Sequence, residues 1–118
     1  MTRRIEDAIQ RDIVEYLRNV LAGHAMVLHI HNNPRSAIDG ARLKAMGLVK
    51  GAPDLLVVLP HGKGAFIEVK APKGVVKPEQ HSFSFTCQAL GWPWFVARSV
   101  DDVRLAFKAL GIQTREAA

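Results

Sequence analysis

Three charged residues in the central part of the chain have the types and the spacing needed for metal-assisted chemistry on a phosphate. Asp54 precedes one apolar run, and Glu68 and Lys70 lie two positions apart in another. If the two runs form a strand–turn–strand, Glu68 and Lys70 share one face, and Asp54 lies opposite or diagonal to one of them. Ile67 and Val69 then point the other way, into the core.

Two carboxylates held this close repel each other unless a positive charge lies between them. Oxygen ligands favour hard divalent cations, so the pair predicts a site for Mg²⁺ or Mn²⁺, to which the backbone carbonyl of Val69 could add another oxygen. Such a cation can orient and deprotonate water, and Lys70 beside it can hold that water and stabilise the transition state. The alternative is an exposed hairpin edge on which Glu68 and Lys70 form an ordinary ion pair.

The excess positive charge of the chain surrounds these residues. The 118 residues carry sixteen Lys and Arg against eleven Asp and Glu, for a net charge of +5. Segment 34–77 holds eight basic and three acidic residues and therefore the whole excess, whereas the flanking segments are balanced. A basic stripe is typical of proteins that bind polyanions, although a solvated basic surface gives the same pattern.

Composition excludes several classes of protein. With 48% apolar and 23% charged residues, the chain is too apolar to be disordered. The single cysteine, Cys87, excludes an intrachain disulfide and a cysteine-cluster zinc site, and His29 and His31 lack a third ligand at zinc spacing. The first residues do not form a signal peptide, and the apolar run 55–59 is too short to span a bilayer. We expect a cytoplasmic protein without membrane contact.

Hydrophobic periodicity predicts the order helix, strand, helix, strand, strand, helix, strand, helix. The predicted ranges are 3–22, 26–30, 36–46, 54–59, 65–70, 78–90, 94–97 and 99 to about 110. Ser36 and Ser99 are predicted N-caps, Pro78 a first-turn residue and Gly91 a helix end. The order predicts an α/β class protein, a single domain over 1–118 in which helices flank a small mixed sheet, with a loose tail after residue 112.

Three motifs, taken together, resemble one family of nucleases. They are Gly51-Ala52-Pro53-Asp54-Leu55-Leu56, then Phe66-Ile67-Glu68-Val69-Lys70, then Pro78-Glu79-Gln80. With segments 31–36 and 43–47, they make nearly the whole chain similar to the PD-(D/E)XK nuclease superfamily and, within it, to the stand-alone VRR-NUC domains of phages and bacteria. By this resemblance the fold is that of a PD-(D/E)XK nuclease.

The resemblance also implies roles for individual residues. Asp54 and Glu68 would be metal ligands, Lys70 the catalytic lysine, and Gln80 a residue of the next helix that contacts the site. Glu6 matches an acidic residue of the first helix that is often a further metal-site carboxylate. The alternative for Glu6 is a solvated residue in a first turn, where acids are common in any case.

A further set of residues is expected to contact DNA. Asn33, Arg35 and Ser36 open the second predicted helix, where phosphates bind readily and an arginine can hold a phosphate with two hydrogen bonds. Plain helix capping is the alternative. Lys44, Lys73 and Lys77 belong to the basic segment and are expected to follow the DNA backbone, unless they are merely solvated.

We therefore predict a metal-dependent, structure-specific DNA endonuclease that hydrolyses phosphodiester bonds. The similarity to stand-alone domains implies a homodimer that acts on branched DNA, Holliday junctions above all, and a two-fold dimer would supply two symmetric cuts. The alternatives are a nuclease for flaps or nicked ends and a non-catalytic DNA-binding module. The intact trio of Asp54, Glu68 and Lys70 argues against the second of these.

Overall fold

A computed structural model of the chain describes residues 2–21, 23–31 and 36–116. Four strands form one mixed sheet in the order β1-β2-β3-β4, and helices flank it, so the predicted α/β class is confirmed. The elements are α1 Thr2–Val20, β1 Met26–His29, α2 Ala37–Ala45, β2 Leu55–Leu59, a 3₁₀ turn Pro60–Gly62, β3 Lys63–Val69, α3 Pro78–Leu90, β4 Trp94–Ala97 and α4 Val100–Ala109.

Strand β3 lies inside the sheet and is bonded along both edges. It pairs antiparallel with β2 and parallel with β4, and β1 pairs antiparallel with the outer edge of β2. A bond from the Lys70 N–H to the Ala97 carbonyl, at 3.0 Å, continues the β3–β4 ladder one residue beyond the strand. The alternative interpretation placed Glu68 and Lys70 on an exposed hairpin edge. The structure instead places them where strands are bonded on both sides or directly after such a strand.

One face of the sheet packs against α1 and α4 to form the core. Alternate residues of the strands point to this face, among them Ile67 and Val69, as predicted. Full burial of an aliphatic or aromatic side chain stabilises a fold by about 1.5–3 kcal/mol. The buried cluster consists of Ile13, Leu17, Leu21, Leu55, Val57, Ile67, Val69, Ala97, Val103 and Phe107.

Helix α3 covers part of the opposite face. The ring of Phe83 meets that of Phe66 edge-on at 5.2 Å, and the ring of Trp92 lies 6.2 Å from that of Phe66. A Cβ at Gly64 would approach the Trp92 ring to 2.8 Å and the Val57 carbonyl oxygen to 2.5 Å, so glycine is needed for this packing. The predicted strands 54–59 and 65–70 leave residues 60–64 as a turn, and this turn is shorter in the structure because Lys63 and Gly64 already pair with β2.

The helix ends follow the capping residues predicted from the sequence. The Ser36 hydroxyl accepts the N–H of Asp39 at 3.0 Å, and the Ser99 hydroxyl accepts the N–H of Asp102 at 3.2 Å. Pro78 begins α3, and Gly91 ends it with a φ of 71°. Along α2, by contrast, no residue is buried. Among the described residues, no helix has the length and apolar character to cross a bilayer.

The segment after residue 112 differs from the predicted loose tail. Through residue 116, it lies against α1 and α4. The Arg115 N–H donates to the Val20 carbonyl at 2.7 Å, and the Arg104 Nε donates to Glu116 Oε1 at 3.0 Å. Glu116 also accepts the Tyr16 hydroxyl. Hydrogen bonds and an ion pair thus anchor a segment whose sequence lacks a periodic pattern.

Candidate active site

A cleft of about 960 Å³ opens at the edge of the sheet where β2 begins and β3 ends. Its walls come from the first turns of α1, from α2, from the loop that precedes β2 and from the segment that leads into α3. The predicted site residues Glu6, Asp54, Glu68, Lys70 and Gln80 all line it. The fold therefore brings together residues that are up to 74 positions apart in the sequence.

Asp54 is fixed by backbone contacts on both sides. One pair beyond Leu55–Ile67, the register sets Asp54 opposite Glu68. Asp54 Oδ2 accepts the N–H of Val69 at 2.8 Å, and the Asp54 carbonyl accepts the N–H of Ile30, also at 2.8 Å. The N–H and C=O of one strand residue point the same way, so the Val69 carbonyl lies on the Asp54 side of β3.

Glu68 and Lys70 are buried at the floor of the cleft, with exposed fractions of 3% and 5%. Lys70 Nζ lies 3.9 Å from Glu68 Oε2, which makes an ion pair longer than a hydrogen bond. Burial raises the pKa of Glu68 to about 9, the charge of Asp54 adds to the rise, and the Lys70 ammonium opposes it. Without a cation, Glu68 therefore keeps its proton at neutral pH.

The donors at this position fit a hard divalent cation. Glu68 Oε1 is buried and has no hydrogen-bond partner among the described residues, and it lies beside a second carboxylate. Within the described ranges, no three His, Cys, Asp or Glu side chains form a metal-binding group. A cation held here would therefore use Asp54, Glu68, the Val69 carbonyl and water, which are the oxygen ligands that Mg²⁺ and Mn²⁺ prefer.

Gln80 links the first turn of α3 to Glu68. Its Nε2 donates to Glu68 Oε2 at 3.2 Å, while its Oε1 accepts the N–H of Lys77 at 2.8 Å. Gly51 sets the position of this turn: its φ is 83°, and a Cβ there would lie 2.3 Å from the Glu79 carbonyl oxygen. Gly51 is missing from the predicted site residues, although a glycine three residues before Asp54 is a usable turn signal.

The turn that follows Lys70, Ala71-Pro72-Lys73-Gly74, is held from two sides. We refer to it as the 71–74 turn. Glu6 Oε2 accepts the Ala71 N–H at 3.2 Å, so the structure places this carboxylate on the backbone next to the site. On the other side, Arg98 Nη1 donates to the Ala71 and Gly74 carbonyls, both at 2.7 Å. Sequence reasoning missed Arg98, because its contact depends on the parallel β3–β4 pairing.

A family model for the VRR-NUC domain matches residues 6–101, which include every residue described at this site. The chain belongs to the VRR-NUC family. A solved structure described as a VRR_NUC domain is 27% identical, with a TM-score of 0.62 over 88% of this chain and 95% of that one. Another, a VRR_NUC domain protein, is 21% identical and shares the fold, with a TM-score of 0.71 over 95% of this chain and 93% of that one. No curated protein matches the chain in sequence.

A VRR-NUC domain is a nuclease domain, so membership gives the chain a nuclease-type function in DNA processing. Four of the remaining predicted residues of this VRR-NUC domain lie within the described ranges. Lys44 and Lys77 line it and are exposed, Lys73 is exposed on the 71–74 turn, and Ser36 is exposed where it caps α2. Asn33 and Arg35 lie outside the described residues. The structure adds two more cations to the lining of the VRR-NUC cleft, Arg3 and Lys50.

Proposed function

We propose that this VRR-NUC domain is a Mg²⁺- or Mn²⁺-dependent endonuclease of the PD-(D/E)XK type that hydrolyses phosphodiester bonds of branched DNA, Holliday junctions above all. The observation that carries the proposal is the buried, unpartnered Glu68 Oε1 next to Asp54. A buried polar atom without a partner costs about 1–3 kcal/mol, and more if it is charged. A cation would remove that cost, and it would balance the charge of both carboxylates once Glu68 gives up its proton.

In this proposal Asp54 and Glu68 would hold the cation, and the Val69 carbonyl would add an oxygen. When bound, the cation would lower the pKa of a water molecule and offset negative charge on the phosphate. The Gln80 amide donates a hydrogen bond to Glu68 Oε2, so Glu68 Oε1 is the oxygen that would face the cation. Lys70 donates hydrogen bonds to the attacking water and to the phosphate oxygens, whose negative charge grows in the transition state. The water oxygen bonds to phosphorus and loses a proton to solvent, one P–O ester bond breaks, and the leaving oxygen takes a proton from solvent.

Binding to the DNA backbone is supported by the cations that line the cleft, Arg3, Lys44, Lys50 and Lys77. The proposed preference for branched DNA comes from the similarity to stand-alone VRR-NUC domains. One copy offers one candidate metal site among its described residues, whereas a junction with two-fold symmetry needs two cuts. We therefore propose a homodimer, for which exposed apolar side chains such as Phe85 and Leu90 are available.

The test is cleavage of end-labelled DNA of matched sequence: a four-way junction, a flap, a nicked duplex and a linear duplex. Each is incubated with Mg²⁺, Mn²⁺ or EDTA, with wild-type protein and with Glu68→Gln. We expect paired symmetric cuts in the junction, only with metal and only in wild type. Preferred cutting of flaps or nicks would favour the alternative nuclease, and binding without cutting would favour a non-catalytic module. Sedimentation of the free protein tests the dimer.

A further inference from the structure

Arg98 contacts the backbone immediately after Lys70, although it lies 28 positions further along the chain. Its Nη1 donates to the carbonyl of Ala71 and to that of Gly74, both at 2.7 Å, and the Pro72 carbonyl lies at 3.5 Å from the same nitrogen. Three carbonyls of the 71–74 turn therefore surround one guanidinium nitrogen. Bonds from a charged donor are stronger than those between neutral groups.

Two other hydrogen bonds hold the 71–74 turn in the part of the chain that the structure describes. Within it, the Gly74 N–H donates to the Ala71 carbonyl at 2.9 Å. Outside it, the Ala71 N–H donates to Glu6 Oε2 at 3.2 Å, and a Cβ at Gly74 would lie 3.3 Å from that same oxygen. The turn is thus held between an acid on α1 and an arginine at the end of β4.

Arg98 is itself held in place by the start of α4. Its N–H donates to Asp102 Oδ2 at 2.8 Å, while the Asp102 N–H donates to the Ser99 hydroxyl. Its neighbour Ala97 accepts the N–H of Lys70 at 3.0 Å. The backbone of Arg98 and that of its neighbour Ala97 are therefore both held by hydrogen bonds. The Arg98 guanidinium thus extends from a fixed backbone position to the 71–74 turn.

We propose that Arg98 is a positioning residue of the nuclease site, which sets the direction of Lys70 by holding the 71–74 turn. The inference rests on the proposed function, in which Lys70 holds the attacking water. Lys70 Nζ is 3.9 Å from Glu68 Oε2, so a small shift of the turn changes its place relative to the metal ligands. A displacement of about 1 Å in a catalytic group can lower a rate roughly a hundredfold.

Arg98→Gln removes the charged donor, and Arg104→Gln is the matched control. Arg104 pairs with Asp101 and Glu116 on the surface of α4, away from the cleft. We expect Arg98→Gln to lower the single-turnover cleavage rate roughly ten- to a hundredfold. The affinity for uncut DNA in Ca²⁺ should stay within about twofold of wild type. Arg104→Gln should cleave at the wild-type rate.

Arg98→Lys should restore part of the rate. Both short bonds come from one nitrogen, so an ammonium at that position could make them, but the lysine side chain is one bond shorter. Amide hydrogen exchange of Ala71 and Gly74 provides a readout that does not depend on cleavage. Exchange should be several-fold faster in Arg98→Gln, intermediate in Arg98→Lys and unchanged in Arg104→Gln.

The outcomes separate this proposal from the proposed function. If wild type cuts no DNA, the proposed function fails, while exchange of the two amides still tests the contact. A wild-type rate in Arg98→Gln, or a loss of rate fully explained by weaker DNA binding, overturns the positioning role. If Arg98→Gln does not fold, Arg98→Lys provides the test. A wild-type cleavage rate with unchanged exchange of the Ala71 and Gly74 amides would overturn the proposal. A several-fold lower cleavage rate with faster exchange of these amides would support it.

Discussion

The Asp54 carboxylate accepts the backbone N–H of Val69 at 2.8 Å, and Val69 is the residue between Glu68 and Lys70, whose side chains line the cleft. One of the Asp54 carboxylate oxygens thereby fixes β3, and the negative charge of Asp54 helps to raise the pKa of Glu68. We infer that Asp54 sets the strand position as well as the charge of the site. These two effects can be separated by substitution.

Asp54→Asn should abolish cleavage and leave the fold intact. The asparagine oxygen can still accept the Val69 N–H, whereas the negative charge for the cation is gone. Asp54→Ala should be inactive as well, but less stable than Asp54→Asn by about 1–3 kcal/mol, because a buried N–H loses its acceptor. Junction cleavage and urea unfolding measure the two effects. Cleavage at the wild-type rate by Asp54→Asn would remove Asp54 from the metal site.

The metal-free protein should lose stability as the pH rises. The pKa of Glu68 lies at about 9 in the folded state and at the ordinary value of 4.5 in the unfolded chain. Between these values the folded state binds more protons, so its stability is highest below the lower pKa and falls as pH rises toward the higher one. In EDTA, wild type should melt at a lower temperature near pH 8.5 than near pH 5.5.

Glu68→Gln should remove most of this pH dependence and match or exceed wild-type stability near pH 8.5. Glu15→Gln, at an exposed carboxylate of α1, is the control and should keep the wild-type profile. Adding Mg²⁺ should raise the melting temperature of wild type but not that of Glu68→Gln, because a ligand stabilises only the form that binds it. If the melting temperatures of wild type and Glu68→Gln changed with pH in the same way, Glu68 would not be the group that makes stability depend on pH.

Lys70 offers a test that separates an enzyme from a DNA-binding module. Lys70→Met retains most of the buried stem and loses the ammonium, so we expect cleavage to fall roughly 10²–10³-fold. Metal and DNA affinities should be nearly unchanged. Lys70→Arg should also be poor, because a planar guanidinium cannot replace a compact charge in a buried place. Normal cleavage with weaker DNA binding would make Lys70 a phosphate contact only.

Gly51 and Gly62 form a matched pair for the packing of α3 against the site. Both have positive φ, of 83° and 70°, but only at Gly51 would a Cβ meet other atoms. Each alanine substitution should cost about 1–2 kcal/mol for its backbone conformation. Gly51→Ala should cost more and slow cleavage, because the first turn of α3 and Gln80 must move. Gly62→Ala should cleave normally, and equal effects of the two would exclude the packing argument.

The basic residues at the cleft should make DNA binding salt dependent. Ala substitution of Lys44, Lys73 or Lys77 should each lower the slope of log affinity against log salt by about one. Arg35 is expected to behave likewise. Lys108→Ala, at an exposed position near the end of α4, is the control and should leave the slope unchanged. A flat salt response in wild type would mean that these charges only solvate the surface.

The helices and strands were predicted well from the sequence, because their ends and faces are set by residues close to one another in the chain. Serine caps, Pro78 and Gly91 mark helix ends, and alternation along the β2–β3 hairpin places Asp54, Glu68 and Lys70 on one site. These three residues lie within a single hairpin, so a short stretch of sequence is enough to group them.

Contacts between distant segments were not predictable in this way. The parallel pairing of β4 with β3 spans a helix, and it decides both the burial of Glu68 and Lys70 and the contact of Arg98 with the 71–74 turn. The bond between Glu6 and the Ala71 N–H likewise depends on how α1 lies on the sheet. Side-chain periodicity carries no information on which strands become neighbours.

The position of β3 inside the sheet has a consequence for inactivation by heat or denaturant. Glu68 lies in a strand that is bonded to both neighbouring strands, and Lys70 follows that strand directly with a bond to β4, so displacing either residue requires opening the sheet around β3. Strands bonded on both edges open last, and usually together with the whole domain. Activity should therefore disappear along the same curve as the folded protein, with no partly unfolded form that still cuts and no folded form that has lost its chemistry first.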